Sequence, residues 1–197
     1  MASRHLSYTD PMASTRAPDP RRLDVAAFAV AGGELRGDWP ATQLRRLLSA
    51  TMESPADASR LDVAWQAHGE LLPLVGAGRQ PSLRLEADTE VMLECQRCLQ
   101  PMRWPLQARR RIFFVDGDDA AAALDAENDD DVLALVPVLD LQALIEDELL
   151  LALPIVPRHE VCPEPLPRAF VEDEGEAVPE DNPFAVLAAL KRGTAPN

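Results

Sequence analysis

The chain has 197 residues and carries 33 acidic against 19 basic side chains, a net charge of −14. Apolar residues make up 47% of it, enough to build a core, which excludes wholesale disorder. A uniformly acidic surface repels nucleic acid and anionic membrane, so the average argues against an ordinary RNA binder while leaving the distribution of charge open.

Residues 1–22 are rich in Pro, Ser, Thr and Arg without periodicity and read as a flexible N-terminal leader, in which Met12 stands beside Met1 as a candidate start. They lack the apolar core of a secretion signal, and no run of 18 apolar residues occurs anywhere, so no membrane partner is expected. Residues 24–30 predict a short helical turn closed by Gly32 and Gly33, followed by a strand over 34–39. A helix over 41–51 would place Leu44, Leu47 and Leu48 on one face. Residues 60–66 alternate as a half-buried strand does, and 71–75 extend that sheet up to the turn at Gly76 and Gly78. Over 82–95 the alternation is clearest: Leu83, Leu85, Ala87, Thr89, Val91 and Leu93 fall on one face, and Arg84, Glu86, Asp88, Glu90 and Glu94 on the other.

A second strand over 102–115 follows the tight turn containing Cys95 and Cys98, making a hairpin the economical reading. Residues 116–131 are acidic and Ala-rich and are expected to form a long loop, with 132–137 returning as a strand. Asp140 is an N-cap, and Leu141, Leu144, Ile145, Leu149 and Ala152 recur at helical spacing until Pro154 stops the run. An acidic, Pro-rich linker is expected over 160–181, then a C-terminal helix over 182–192 with Asn182 as N-cap and Pro183 in its first turn. The fold class is therefore α+β: residues 23–159 form one domain, an antiparallel sheet or small partly open β-barrel covered by two or three helices.

The sharpest chemical constellation is Cys95-x-x-Cys98 with His159-x-x-Cys162. Two thiolates two residues apart on a turn face one tetrahedral Zn²⁺, and a His and a Cys complete the set; the alternative is reduced thiols beside a surface His. Three cysteines cannot all pair, which fits a reducing, cytoplasmic compartment. A thioredoxin-like redox site fits less well, because such sites open a helix, whereas the flanks here alternate as strands do.

Charge is unevenly spread. Arg97, Arg103, Arg109, Arg110 and Arg111 give residues 97–111 a local charge of +5 with no acid among them. Trp104, Phe113 and Phe114 lie nearby, so the hairpin is a candidate RNA contact, or equally a solvated strand face answered by an acidic neighbour. Residues 116–148 carry twelve acids and no base. Glu146, Asp147 and Glu148 sit about 100° apart on a helix and do not converge as a catalytic pair must. Only Glu148 falls near the apolar stripe, where an Arg is its natural partner; Glu146 and Asp147 are expected on a solvated face. No phosphate-cradling loop, nucleophile elbow or Ser–His–acid set is found, so no enzyme and no small-molecule substrate are expected.

Three motifs in order resemble the YceD family of large ribosomal RNA subunit accumulation proteins. They are Leu93-Glu94-Cys95-Gln96-Arg97-Cys98, the run from Ile145 to Pro154 followed by Val156-Pro157-Arg158-His159, and Asn182-Pro183-Phe184-Ala185-Val186-Leu187. The resemblance implies a small bacterial cytosolic factor for accumulation or processing of large-subunit ribosomal RNA. It maps the family's cysteine turn onto Cys95, Arg97 and Cys98, and its acidic helix onto Glu146, Asp147 and Glu148. Two hypotheses follow: a factor touching precursor ribosomal RNA through residues 97–111, or an acidic adaptor holding a basic ribosome-assembly protein or a processing enzyme.

Overall fold

The computed structural model describes residues 18–52 and 61–163; the expected C-terminal helix, most of the leader and most of the acidic linker lie outside them. Helix α1 (Val25–Val30) begins where the Asp24 carboxylate accepts the Ala27 N–H. Gly32, at φ 60°, then reverses the chain into strand β1 (Glu34–Pro40). The helix expected over 41–51 forms in two pieces, a 3-10 turn (Ala41–Gln43) and helix α2 (Arg45–Ser49). The break falls at Leu44, whose φ of −104° and ψ of 75° are not helical; the kink brings Ala41, Leu44 and Leu47 all into the core.

Strand β2 (Asp62–Leu74) runs unbroken where the alternation suggested two pieces. Strands β3 (Gly78–Glu94) and β4 (Pro101–Val115) form the expected hairpin around the Cys turn. Residues 116–131 depart from the expected loop. They carry helix α3 (Asp118–Asp125), which leads into strand β5 (Asp131–Ala134). Asp118 and Asp119 occupy its first turn, where acids favour the helix dipole, and four successive alanines supply helix propensity. Helix α4 (Leu141–Leu151) opens at Asp140, whose side chain accepts the Ala143 N–H at 3.1 Å.

The sheet has the order β1-β2-β3-β4-β5. The first four strands form an antiparallel meander, and β5 lies parallel to β4 because α3 carries the chain back along the sheet. The sheet is therefore mixed and open: β1 and β5 are its edges and it does not close into a barrel. The α+β class stands, and the open sheet is antiparallel except where β5 joins it.

Register places Leu83, Leu85, Ala87, Val91 and Leu93 on one face with Met102, Leu106, Ala108 and Ile112, all buried. Phe28 of α1, Leu44 and Leu47 around α2, and Leu141, Ile145 and Leu149 of α4 complete this core. Phe28 lies so close to β2 that a Cβ on Gly69 would meet its ring at 2.5 Å and the Ala29 backbone at 3.1 Å. The opposite face is polar except at one end, where α3 packs a second cluster of Leu74, Phe113, Val115, Ala121 and Val132. The compact unit runs to Val161; Cys162 opens the following segment, of which only Cys162 and Pro163 are described. No helix among the described residues is long and apolar enough to cross a membrane.

Candidate metal centre

The β3–β4 turn is shaped for its cysteines. The Cys95 N–H donates to the Gln100 carbonyl at 3.0 Å and the Leu99 N–H to the Cys95 carbonyl at 2.8 Å. Leu99 adopts φ 59°, a left-handed conformation that a leucine takes only when its surroundings impose it. The coil after α4 is fastened to this turn: the Gln96 N–H donates to the Pro157 carbonyl at 2.9 Å, and the Arg97 guanidinium donates to the His159 carbonyl at 2.8 Å.

These links bring His159 to the cysteines. Its backbone N–H donates to Cys95 Sγ and its Nδ1 faces Cys98 Sγ, both at 3.4 Å. Cys162, tethered three residues beyond His159, supplies a fourth donor, and the donor atoms of all four lie within 4.8 Å of one another. Burial pushes the Cys95 thiol up, but the N–H groups of His159, Arg97 and Cys98, together with the Cys98 side chain, outweigh it and lower the thiol to about 5. Cys95 is thus held as a thiolate, the form that ligates metal. A tetrahedral Zn²⁺, with Zn–S of about 2.3 Å and Zn–N of about 2.0–2.1 Å, sets its donors roughly 3.5–3.8 Å apart. Three sulfurs and one imidazole gathered within 4.8 Å of one another fit such an ion in number and softness, and a contraction of about 1 Å at the widest pair would complete the tetrahedron.

The acidic helix has three separate structural roles. Glu146 is buried, although a solvated position was expected, and its Oε1 accepts the N–H groups of Arg46 at 2.7 Å and Leu47 at 3.1 Å. Those are the second and third residues of α2, whose own N-cap position, Leu44, offers no side-chain oxygen. Glu146 therefore caps a helix a hundred residues earlier in the chain. Its Oε2 accepts Arg46 Nε at 3.0 Å, and Asp147 pairs with the same guanidinium, which raises the Arg46 pKa. Glu148 meets Arg110 Nε at 3.1 Å on the helix-covered face, as its place on the apolar stripe suggested. Burial raises the Glu148 pKa, against the opposing pull of the Arg110 hydrogen bond and charge.

The basic hairpin does not present its five charges together. Arg103 pairs with Glu90 at 2.6 Å, Arg109 with Asp88 at 3.2 Å and Arg111 with Asp130 at 3.7 Å, all on the polar face. Arg110 points to the other face, and Arg97 is spent on the 159–160 backbone. Sequence reasoning missed the partnership of Arg46 with Glu146. The missing Ser, Thr, Asp or Asn at position 44 was the signal that a cap had to come from elsewhere.

Comparison with known proteins follows the same outline. A family model described as "Large ribosomal RNA subunit accumulation protein YceD" matches residues 83–191, an interval that contains most of the β3–β4 hairpin, α3, α4 and all four donors of the cluster. A protein of Haemophilus influenzae named "Large ribosomal RNA subunit accumulation protein YceD" is 31% identical over 175 residues, covering 87% of this chain and 90% of its own. No solved structure matches the chain.

Proposed function

The chain belongs to the YceD family, and on that premise we propose that it is a non-enzymatic cytoplasmic factor for accumulation of large-subunit ribosomal RNA, working as an acidic adaptor for a basic ribosome-assembly protein. The observation that carries the adaptor reading is the state of the hairpin: Arg103, Arg109, Arg110 and Arg111 each face a carboxylate, so four of the five local positive charges are answered within the fold, while the chain as a whole carries −14. Cys95, Cys98, His159 and Cys162 hold Zn²⁺ in this reading, and the ion supplies a cross-link. Four protein donors leave no position for water or substrate, the pattern of structural sites. Cross-linking fastens the coil after α4 to the end of the β3–β4 hairpin.

Direct contact of Arg97, Arg103, Arg109, Arg110 and Arg111 with ribosomal RNA is a second reading. Its support is that Arg103 and Arg109 keep side-chain exposures of 72% and 52% despite their partners. Surface pairs of this kind contribute little and exchange readily for phosphate.

Equilibrium binding of the zinc-loaded full chain to purified basic large-subunit ribosomal proteins and to large-subunit RNA fragments, over a series of salt concentrations, separates the two. The adaptor reading expects binding to a basic protein that is unchanged by Arg103→Ala and Arg109→Ala. Tight RNA binding whose salt dependence weakens in those variants overturns it in favour of the second reading. In cells, deletion should lower the ratio of large- to small-subunit ribosomal RNA, and an unaltered ratio removes the shared role.

A further inference from the structure

Strand β1 is an edge, pairing with β2 and with no other strand among the described residues. Its register fixes the direction of each peptide group. The Gly69 N–H donates to the Gly33 carbonyl at 2.9 Å and the Ala41 N–H to the Leu61 carbonyl at 2.8 Å, so the odd-numbered positions bond inward to β2. The peptide groups of Glu34, Arg36 and Asp38 therefore point out of the sheet. Proteins usually blunt such an edge with a bulge, an internal Pro, a very short strand or charged side chains, Lys above all; β1 carries Glu34, Arg36 and Asp38 but no Lys. Here seven consecutive residues pair regularly with β2, and the one Pro is the last of them.

Two features at the middle of this edge point to a ligand. Gly37 leaves open the space beside Trp65, whose Nε1 lies 3.5 Å from where a Gly37 Cβ would stand. That indole N–H is buried and has no hydrogen-bond partner among the described residues, an arrangement native proteins rarely keep without a reason. On the polar face beside the same residues lies a cavity of about 520 Å³ whose charged lining is Asp38, Glu86 and Asp88, the last already paired with Arg109, against Arg36.

We propose that the β1 edge receives an extended basic segment of the protein partner as a sixth strand of the sheet, which rests on the adaptor reading above. Residues of the incoming strand opposite Glu34, Arg36 and Asp38 exchange backbone hydrogen bonds with them and turn their side chains toward the acidic cavity, where Lys or Arg is complementary. The residue opposite Gly37 turns to the helix-covered face. With no Gly37 side chain in the way, a short acceptor such as Ser, Thr or Asn reaches Trp65 Nε1.

The test uses the zinc-loaded full chain and a dodecapeptide of alternating Lys and Thr, with an Asp–Thr peptide as its opposite. The Lys–Thr peptide should slow amide hydrogen exchange at 34, 36 and 38 at least tenfold and shift the Trp65 indole resonance; the Asp–Thr peptide should do neither. Arg36→Pro removes an N–H that the sheet does not use, a change edge strands tolerate, and should cut peptide affinity at least tenfold. Should that variant not fold, Asp38→Lys keeps every backbone group and should also weaken the Lys–Thr peptide. Absence of protection at millimolar peptide, or protection undiminished in both variants, overturns the proposal. Intact basic ribosomal proteins tell the two readings apart: equal binding by wild type and variants overturns the edge but leaves the adaptor standing, whereas no binding at all overturns both.

Discussion

Replacing Glu146 by Ala removes three hydrogen bonds at once, from the N–H groups of Arg46 and Leu47 and from Arg46 Nε. A helix cap is worth about 1 kcal/mol and each hydrogen bond to a buried charge about 1.5–3 kcal/mol, with part of the loss recovered by water reaching the freed N–H groups. The expected cost is thus about 2–4 kcal/mol, concentrated at α2, whose Leu47 is buried in the core. In a domain of this size about 1 kcal/mol moves Tm by roughly 3–4 °C, so E146A should melt roughly 6–16 °C lower at fixed zinc. Glu146→Gln keeps one oxygen for the two backbone donors but loses the charge, and should fall between E146A and wild type. Asp147→Ala is the control: its carboxylate is half exposed and bonds only the Arg46 side chain, so about 0–1 kcal/mol is expected. Calorimetry or urea unfolding of the four proteins decides the matter. Equal stability of E146A and D147A would refute the account of Glu146 as the cap of α2.

Zinc comes next. Native mass spectrometry of protein purified without added metal should find one Zn²⁺ per chain, lost together with thermal stability when Cys95 and Cys98 become Ser; metal-free protein of undiminished stability removes the centre. Glu148 gives a pH dependence of definite sign. Its folded pKa is raised, so its contribution is fully present below the unfolded carboxyl value and is lost as pH rises through the folded one. As pH rises above the unfolded carboxyl value of about 4.3, Glu148→Gln should therefore gain stability relative to wild type, and the opposite trend in urea titrations refutes the burial argument. Gly69→Ala forces a methyl between Phe28 and the Ala29 backbone and should cost about 1–3 kcal/mol, read as a drop in urea midpoint, whereas an unchanged midpoint shows that α1 can move aside.

The elements that sequence described well are those whose period is undisturbed. Strand β3 alternates because one face is packed and the other wet, and α4 repeats Leu141, Ile145 and Leu149 behind an Asp cap. Helix α3 was hidden by composition. Its one buried position is an alanine, which reads as spacer in a linear scan, and only the fold shows Ala121 against Phe113 and Val132. The parallel placement of β5 follows from that helix and was lost with it. Of the metal cluster, residue types and local spacings were legible, but not the reason that His159 comes back to the turn. That reason lies in Gln96 and Arg97 bonding to the backbone of residues 157–160, contacts that leave no mark on composition. The hairpin arginines show the converse, for a local sum of charge takes no account of carboxylates brought in from β3, α4 and the coil before β5.

The last four residues of β4, Ile112, Phe113, Phe114 and Val115, are all buried, because α3 covers one side of that end and the other helices cover the opposite side. An apolar run sandwiched in this way does not distinguish its two faces, so a slip of one residue there exchanges one large hydrophobe for another at small cost. From Met102 to Arg111 the same slip would drive Arg109 and Arg111 under the helices and turn Leu106 and Ala108 out to water. The phase of the whole strand is therefore set by its alternating part, from Met102 to Arg111, and that part decides which side chains the last four residues present to each of the two cores.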